Sequence, residues 1–112
     1  MDAREERLAR NEALFRDVNE RVRAIAVQHG DGEPHLYQFF CECSNVDCTF
    51  QLDVTLQEYE SIRADATRFV VAPDHWLPEV ETVVERTDRW WAVEKHGEAA
   101  RLSADLDPRK DD

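Results

Sequence analysis

The sequence predicts an α+β fold: a long N-terminal amphipathic helix, then a small antiparallel sheet with one short helix. Three observations predict it. Residues 3–28 contain no Gly or Pro and repeat their apolar residues with helical spacing. Residues 35–41 and 48–54 have the aromatic content and the alternation of half-buried strands. The length of 112 residues allows one modest hydrophobic core, so we expect no second large domain.

The first helix carries an apolar stripe, defined by Leu8, Leu14, Phe15, Val18, Val22, Ile25 and Ala26. A stripe this apolar is expected to be buried, either against the rest of the chain or against another molecule. Positions 8, 15, 18, 22 and 25 also fit a coiled-coil repeat, with Asn11 as its polar member. Packing within the chain and pairing with a second copy or a partner helix therefore both stay open. Gly30 and Gly32 follow, and they predict the end of the helix.

The two strands at residues 35–41 and 48–54 are predicted to pair as a hairpin whose tip carries Cys41 and Cys48. Thr55 and Glu58 then have the spacing of a capping box, which predicts a short helix. One face of that helix carries its apolar side chains, which are Leu56, Tyr59, Ile62 and Ala66.

The second half of the chain predicts three more strands and a tail. Residues 69–72 form a short strand that Pro73 ends, and residues 80–85 and 89–95 form a second hairpin. Pro78 followed by acidic residues also fits a helix start, so the first strand of this hairpin has an alternative. We thus divide the chain into an N-terminal helix at 1–29, a small zinc-binding domain at 34–97 and a mobile acidic tail at 98–112.

The net charge of −11 limits the classes of partner. Residues 31–60 contain seven acids and no Lys or Arg, which disfavours binding to nucleic acid or to an anionic membrane. The charge is explained by solubility alone, and the alternative is an acidic face for a basic protein surface, for example on transcription or translation machinery. The N-terminal residues MDAREERLAR lack the apolar core of a signal peptide, and no apolar run is long enough to span a membrane. We therefore expect a cytoplasmic protein.

Three cysteines fall within eight residues, at Cys41, Cys43 and Cys48, and the chain has no others. An odd number argues against a closed set of disulfides, whereas clustered thiolates suit zinc. His75 is the favoured fourth ligand because it lies in a loop stiffened by prolines. The other candidates are His35, His29, His96, water or a carboxylate. Buried core thiols and a redox switch are the alternatives to a metal site.

Four segments of the chain carry a family resemblance: residues 11–21, 40–43, 47–48 and 69–75. They resemble a group of small actinobacterial Cys3His-type proteins, and the likeness covers most of residues 10–96. In that group the loop contains Ala-Pro-Gly-His, whereas this chain has Asp74 in place of the glycine. The matching histidine, His75, is thereby favoured as a ligand. No activity is established for the group, so the resemblance implies no function.

Catalytic signatures are weak in this sequence. It has no Gly-rich phosphate loop and no His-Glu-x-x-His motif, and a zinc ion with four protein ligands has no open position for substrate. The sequence therefore predicts a non-enzymatic zinc-binding module for protein interaction or regulation. It would dock through the helix (as a homodimer or on a partner), the acidic face, or one exposed side chain among Trp76, Trp90 and Trp91. The alternatives are a thiol redox sensor that releases zinc on oxidation and a small zinc hydrolase.

Overall fold

The computed structural model describes residues 3–29, 35–43, 45 and 47–109, and it confirms the α+β class. The loop predicted around Gly30 and Gly32 lies outside the described residues. Within them, no helix is both long enough and apolar enough to cross a membrane. The elements, in chain order, are α1 (Ala3–His29), β1 (Leu36–Phe40), β2 (Gln51–Thr55), α2 (Leu56–Arg63), β3 (Arg68–Val71), β4 (Glu81–Arg86), β5 (Trp91–Lys95) and α3 (Gly97–Asp105).

The strands form two antiparallel sheets, not the single sheet that the sequence predicted. The first is the hairpin β1–β2, and the second has the strand order β3–β5–β4. The chain leaving β1 runs beside β3, where the N–H of Glu42 donates to the carbonyl of Val70 at 2.8 Å. Because this contact comes from the loop after β1, it joins the two sheets without merging them. The cysteine-containing loop is thus placed between the sheets.

Both predicted hairpins and the capping box are confirmed. Phe40 pairs with Gln51 at the end of β1–β2. The side chain of Thr55 accepts from the N–H of Glu58, whose carboxylate accepts from the N–H of Thr55, so α2 starts where the sequence predicted. The alternative helix start at Pro78 is wrong, because residues 78–80 form a turn that leads into β4.

The hydrophobic core lies between the two sheets and α2. The rings of Phe39 and Tyr59 stack at 4.3 Å between centroids. Trp90 is buried, while Trp91 is half-buried beneath the guanidinium of Arg86, 4.9 Å from its ring centroid. The other large side chains that are fully buried at the centre of this core are Phe69, Val54, Val70, Val71 and Val93.

Helix α1 packs through a face that only partly overlaps the predicted one. Leu14 and Ile25, both in the apolar stripe, are 55% and 56% exposed. Among the described side chains of the helix, the buried ones are Ala26, which belongs to the stripe, and Glu12, Arg16 and Asn19, which lie beside it. The expectation that the whole stripe is buried is therefore wrong. The physical reason is that each buried polar side chain finds a partner in the rest of the chain, which offsets the cost of its burial.

One of these buried side chains, Glu12, joins α1 to β4 and β5 through ion pairs. The Lys95 ammonium lies 2.6 Å from the Glu12 carboxylate and 2.9 Å from that of Glu81, and all three side chains are at most 2% exposed. Burial raises the pKa of Glu12 well above its ordinary value; Lys95 opposes this shift, while the nearby Glu81 charge adds to it. The folded protein therefore holds a proton at Glu12 more tightly than the unfolded chain does.

The tail predicted to be mobile instead contains α3, which packs against α1. Beyond the helix, Asp107 is buried and its carboxylate accepts from Arg63 at 2.6 Å. Arg109 donates to Glu20 of α1 at 2.8 Å. The Ala-rich sequence followed by charges predicted a mobile tail. The partners of those charges lie far away in the sequence, so the local pattern does not reveal them.

Candidate metal centre

The first hairpin delivers the three cysteines to one point. Cys41 directly follows β1, and its N–H donates to the carbonyl of Phe50 at 3.0 Å, so the hairpin ladder continues one step past the strands. The chain then turns, with the N–H of Cys48 donating to the carbonyl of Asn45 at 3.0 Å. This tight turn explains why the C-x-C-x4-C spacing brings thiols together rather than spreading them along a strand.

The loop after β3 delivers His75 to the same point. Its N–H donates to the carbonyl of Ala72 at 2.9 Å, which forms a tight turn. Asp74, inside this turn, has a φ of 71°, in the left-handed region that favours glycine. The edge-to-face contact between the rings of His75 and Phe50, at 4.7 Å between centroids, orients the imidazole.

The ligand atoms of Cys41, Cys43, Cys48 and His75 all lie within 4.8 Å of one another. Nδ1 of His75 is 3.6 Å from Sγ of Cys41 and 3.7 Å from Sγ of Cys48. A tetrahedral zinc ion with Zn–S near ~2.3 Å and Zn–N near ~2.0 Å separates its ligand atoms by roughly 3.6–3.8 Å. The four residues therefore have both the donor types and the spacing to bind one tetrahedral metal ion.

The thiols of this cluster are prepared for metal by their hydrogen bonds. The Cys41–Cys43 hydrogen bond raises the pKa of Cys41 and lowers the pKa of Cys43 to about 5, while burial raises the pKa of Cys48. A lowered pKa at Cys43 favours its thiolate, the form that binds metal, and so reduces the competition between protons and metal. Each sulfur also accepts from a backbone N–H: Ala72 to Cys41 at 3.1 Å, Asn45 to Cys43, and Phe50 to Cys48.

Glu42, between the first two cysteines, anchors the cluster to the core. Its side chain is fully buried, and it accepts from the Asn19 amide at 2.9 Å, the Tyr59 hydroxyl at 2.9 Å and the Val70 N–H at 3.0 Å. Asn19 also brackets the backbone of Phe40, donating to its carbonyl and accepting from its N–H, each at 2.8 Å. Sequence reasoning missed this network, since a lone Glu between cysteines gives no sign of burial.

The remaining histidines lie elsewhere or outside the described atoms. The ring of His35 packs on Tyr37, 4.6 Å between centroids, and the exposed His96 precedes α3. In the part of the chain that the structure describes, neither joins the metal-ligand cluster. The side chain of His29 is outside the described atoms. Of the imidazoles whose positions are described, His75 is thus the one that meets the cysteines.

A cleft of about 230 Å³ opens beside the cluster. Two members of the cluster line it, Cys43 and His75, together with Asn45, Trp76 and Leu77. Two of the four candidate metal ligands therefore face a surface cleft.

Comparison with known proteins adds no further information: no protein-family model, no curated protein and no solved structure matches this chain. The function must be argued from the chemistry of the cluster and the surface around it.

Proposed function

We propose that this protein is a non-enzymatic, zinc-binding module for protein interaction or regulation, whose zinc is structural. The ligands are Cys41, Cys43, Cys48 and His75. The observation that carries the proposal is the convergence of these four ligand atoms within 4.8 Å, from two loops on different sheets. Three cysteines without a disulfide are typical of a reducing compartment, which supports the proposal of a cytoplasmic location.

The donor set favours zinc over other metals. Three thiolates and one imidazole are soft to borderline ligands, and their near-tetrahedral spacing suits zinc, with iron second. Four protein ligands complete a tetrahedron and leave no position for a catalytic water. The ligand count therefore supports a structural role over a zinc hydrolase.

The metal would act as a cross-link between the two sheets. Cys41, Cys43 and Cys48 extend from the β1–β2 hairpin, whereas His75 follows β3. Outside the core, the Glu42–Val70 hydrogen bond joins the backbone of the hairpin loop to the second sheet. Zinc would fix their relative position, and its binding free energy would add to the stability of the fold.

The first test is metal content and retention. The purified protein should contain about one zinc per chain by elemental analysis. His75→Ala should lose zinc to a chelator much faster than the wild type and melt at a lower temperature, because water replaces imidazole poorly. His35→Ala is the matched control, since its ring packs on Tyr37, and it should behave like the wild type. Absence of bound metal with all three thiols freely titratable, or equal zinc retention by His75→Ala, contradicts the proposal.

A second candidate function, redox sensing, is favoured by the position of two of the cysteines at the surface cleft. Cys43 is buried but lines the open cleft, and Cys48 is half-buried, so a small oxidant can approach this side of the cluster. Hydrogen peroxide would oxidise two of the thiolates to one disulfide by taking two electrons from them. The peroxide would be reduced to two water molecules with two protons from solvent, and the zinc would be released. Zinc release by mild peroxide that a dithiol then reverses would favour this function. A centre that resists peroxide under the same conditions would leave the structural role.

A further inference from the structure

We propose that the cleft beside the metal centre binds a cationic segment of a partner protein. One apolar side chain of that segment would lie against Trp76 and Leu77, and its Lys or Arg residues would face the neighbouring carboxylates. The inference deepens the proposed function and rests on it, because it names the docking surface and the chemistry of the partner.

The apolar part of the surface is formed by side chains that stay partly exposed although they pack against the rest of the protein. Trp76 and Leu77 are both half-buried and line the cleft. The ring of Phe50 is 57% exposed and contacts His75, so the apolar surface extends past the cleft. Tryptophan in a concave site is the kind of side chain that anchors a protein partner. A single aliphatic or aromatic side chain is the occupant that a cleft of about 230 Å³ can accept.

The chain next to the residues that line the cleft is acidic. Three exposed carboxylates lie within two residues of a lining side chain: Asp47, Asp74 and Glu79. In the described part of the chain none of the three forms an ion pair. Residues 24–62 and 69–85, which supply all of the cleft, contain no Lys or Arg. A divalent metal ion with three thiolates and a neutral imidazole would form a centre of net charge −1, which adds to this negative charge. Charge complementarity therefore selects a basic partner and disfavours an acidic protein or a nucleic acid.

The walls of the cleft are held in place before binding. Cys43 and His75 belong to the metal-ligand cluster, and Pro73 and Pro78 flank the loop that carries Trp76. A surface fixed in advance loses less conformational entropy on binding. Binding of the cationic segment should therefore require the metal.

The experiment is selection from a displayed library of random twelve-residue peptides on the zinc-loaded protein. We expect the enriched peptides to carry net positive charge and at least one large apolar residue. Trp76→Ala should weaken their binding by ~tenfold or more. Val84→Ala, which shortens an exposed apolar side chain on β4, is the matched control and should leave the affinity unchanged. Glu79→Gln should lower both the affinity and its dependence on salt.

Several outcomes would overturn the inference: enrichment of neutral or acidic peptides, no enrichment, or equal binding by Trp76→Ala. A homodimer that Trp76→Ala dissociates would also overturn it, since the occupant would then be a second copy. Zinc content is measured on the same samples by elemental analysis. If zinc is bound but cationic peptides are not selected, the inference fails while the metal role stands. If no zinc is bound, the proposed function itself fails.

Discussion

Replacing Glu42 by alanine should destabilise the zinc-loaded protein by about 5 kcal/mol, since three buried donors would each lose an acceptor at ~1–3 kcal/mol. The donors are the Tyr59 hydroxyl, the Val70 N–H and one N–H of the Asn19 amide. The carboxylate they surround is 0% exposed, so water cannot easily replace it. A loss of this size is a large part of the total stability of a small domain.

Glu42→Gln separates the hydrogen bonds from the volume of the side chain. Oε1 of Glu42 accepts from Val70, and Oε2 accepts from Asn19 and Tyr59. A glutamine must present its NH2 group to one of these two sides. The less costly orientation sets this group against the single Val70 N–H, for a loss of about 2 kcal/mol.

Urea unfolding at a fixed excess of free zinc measures both changes. The expected order of stability is wild type, then Glu42→Gln, then Glu42→Ala, and zinc retention against a chelator should follow the same order because Cys41 and Cys43 flank this residue. Glu79→Ala, an exposed acid, is the control and should lie within about 0.5 kcal/mol of the wild type. If both Glu42 variants lie within ~1 kcal/mol of the wild type, the buried network does not hold the metal loop.

Three further changes test other parts of the structure. Because the pKa of Glu12 is raised, its contribution to stability is complete below the ordinary value of 4.5 and is lost as the pH rises through the raised pKa. As the pH rises from 5 to 8, the melting temperature of Glu12→Gln should therefore increase relative to that of the wild type. A melting temperature that instead falls relative to the wild type over this range would contradict the prediction. Ala26→Asp should cost about 3 kcal/mol or more in urea unfolding, because Ala26 is buried, whereas Ile25→Asp, at an exposed position, should cost less than about 1 kcal/mol. The reverse order would contradict this division of the apolar stripe into a packed side and an exposed side. Asp74→Gly should stabilise the protein by roughly 0.5–1 kcal/mol, because glycine adopts a positive φ without strain. An equal or lower urea midpoint would contradict that expectation.

Local sequence patterns predicted the elements whose determinants are close in the chain. The β1–β2 hairpin follows from the alternation in residues 48–54, and the start of α2 follows from Thr55 and Glu58, three residues apart. The packed face of α1 could not be predicted in this way. Burial of Glu12 depends on Lys95, and a pattern based on hydrophobicity places every charge on the outside.

The metal-ligand cluster was predictable in part. Three cysteines in eight residues have few structural explanations other than a metal, and a proline-flanked loop made His75 the best candidate among four histidines. The supporting Glu42 network was not predictable, because its donors come from α1, α2 and β3. Such a network is visible only once the elements are packed together.

The ion pairs of α1 impose an order on folding during synthesis. Glu20 pairs with Arg63 as well as with Arg109, but the fully buried Glu12 is paired with the late residue Lys95. Until the ribosome has released Lys95, docking α1 would bury the Glu12 carboxyl group without this partner, which costs free energy. Although α1 precedes β5 in the chain, it can therefore dock only after β5 has been made. Until then, its apolar stripe stays exposed on the nascent chain.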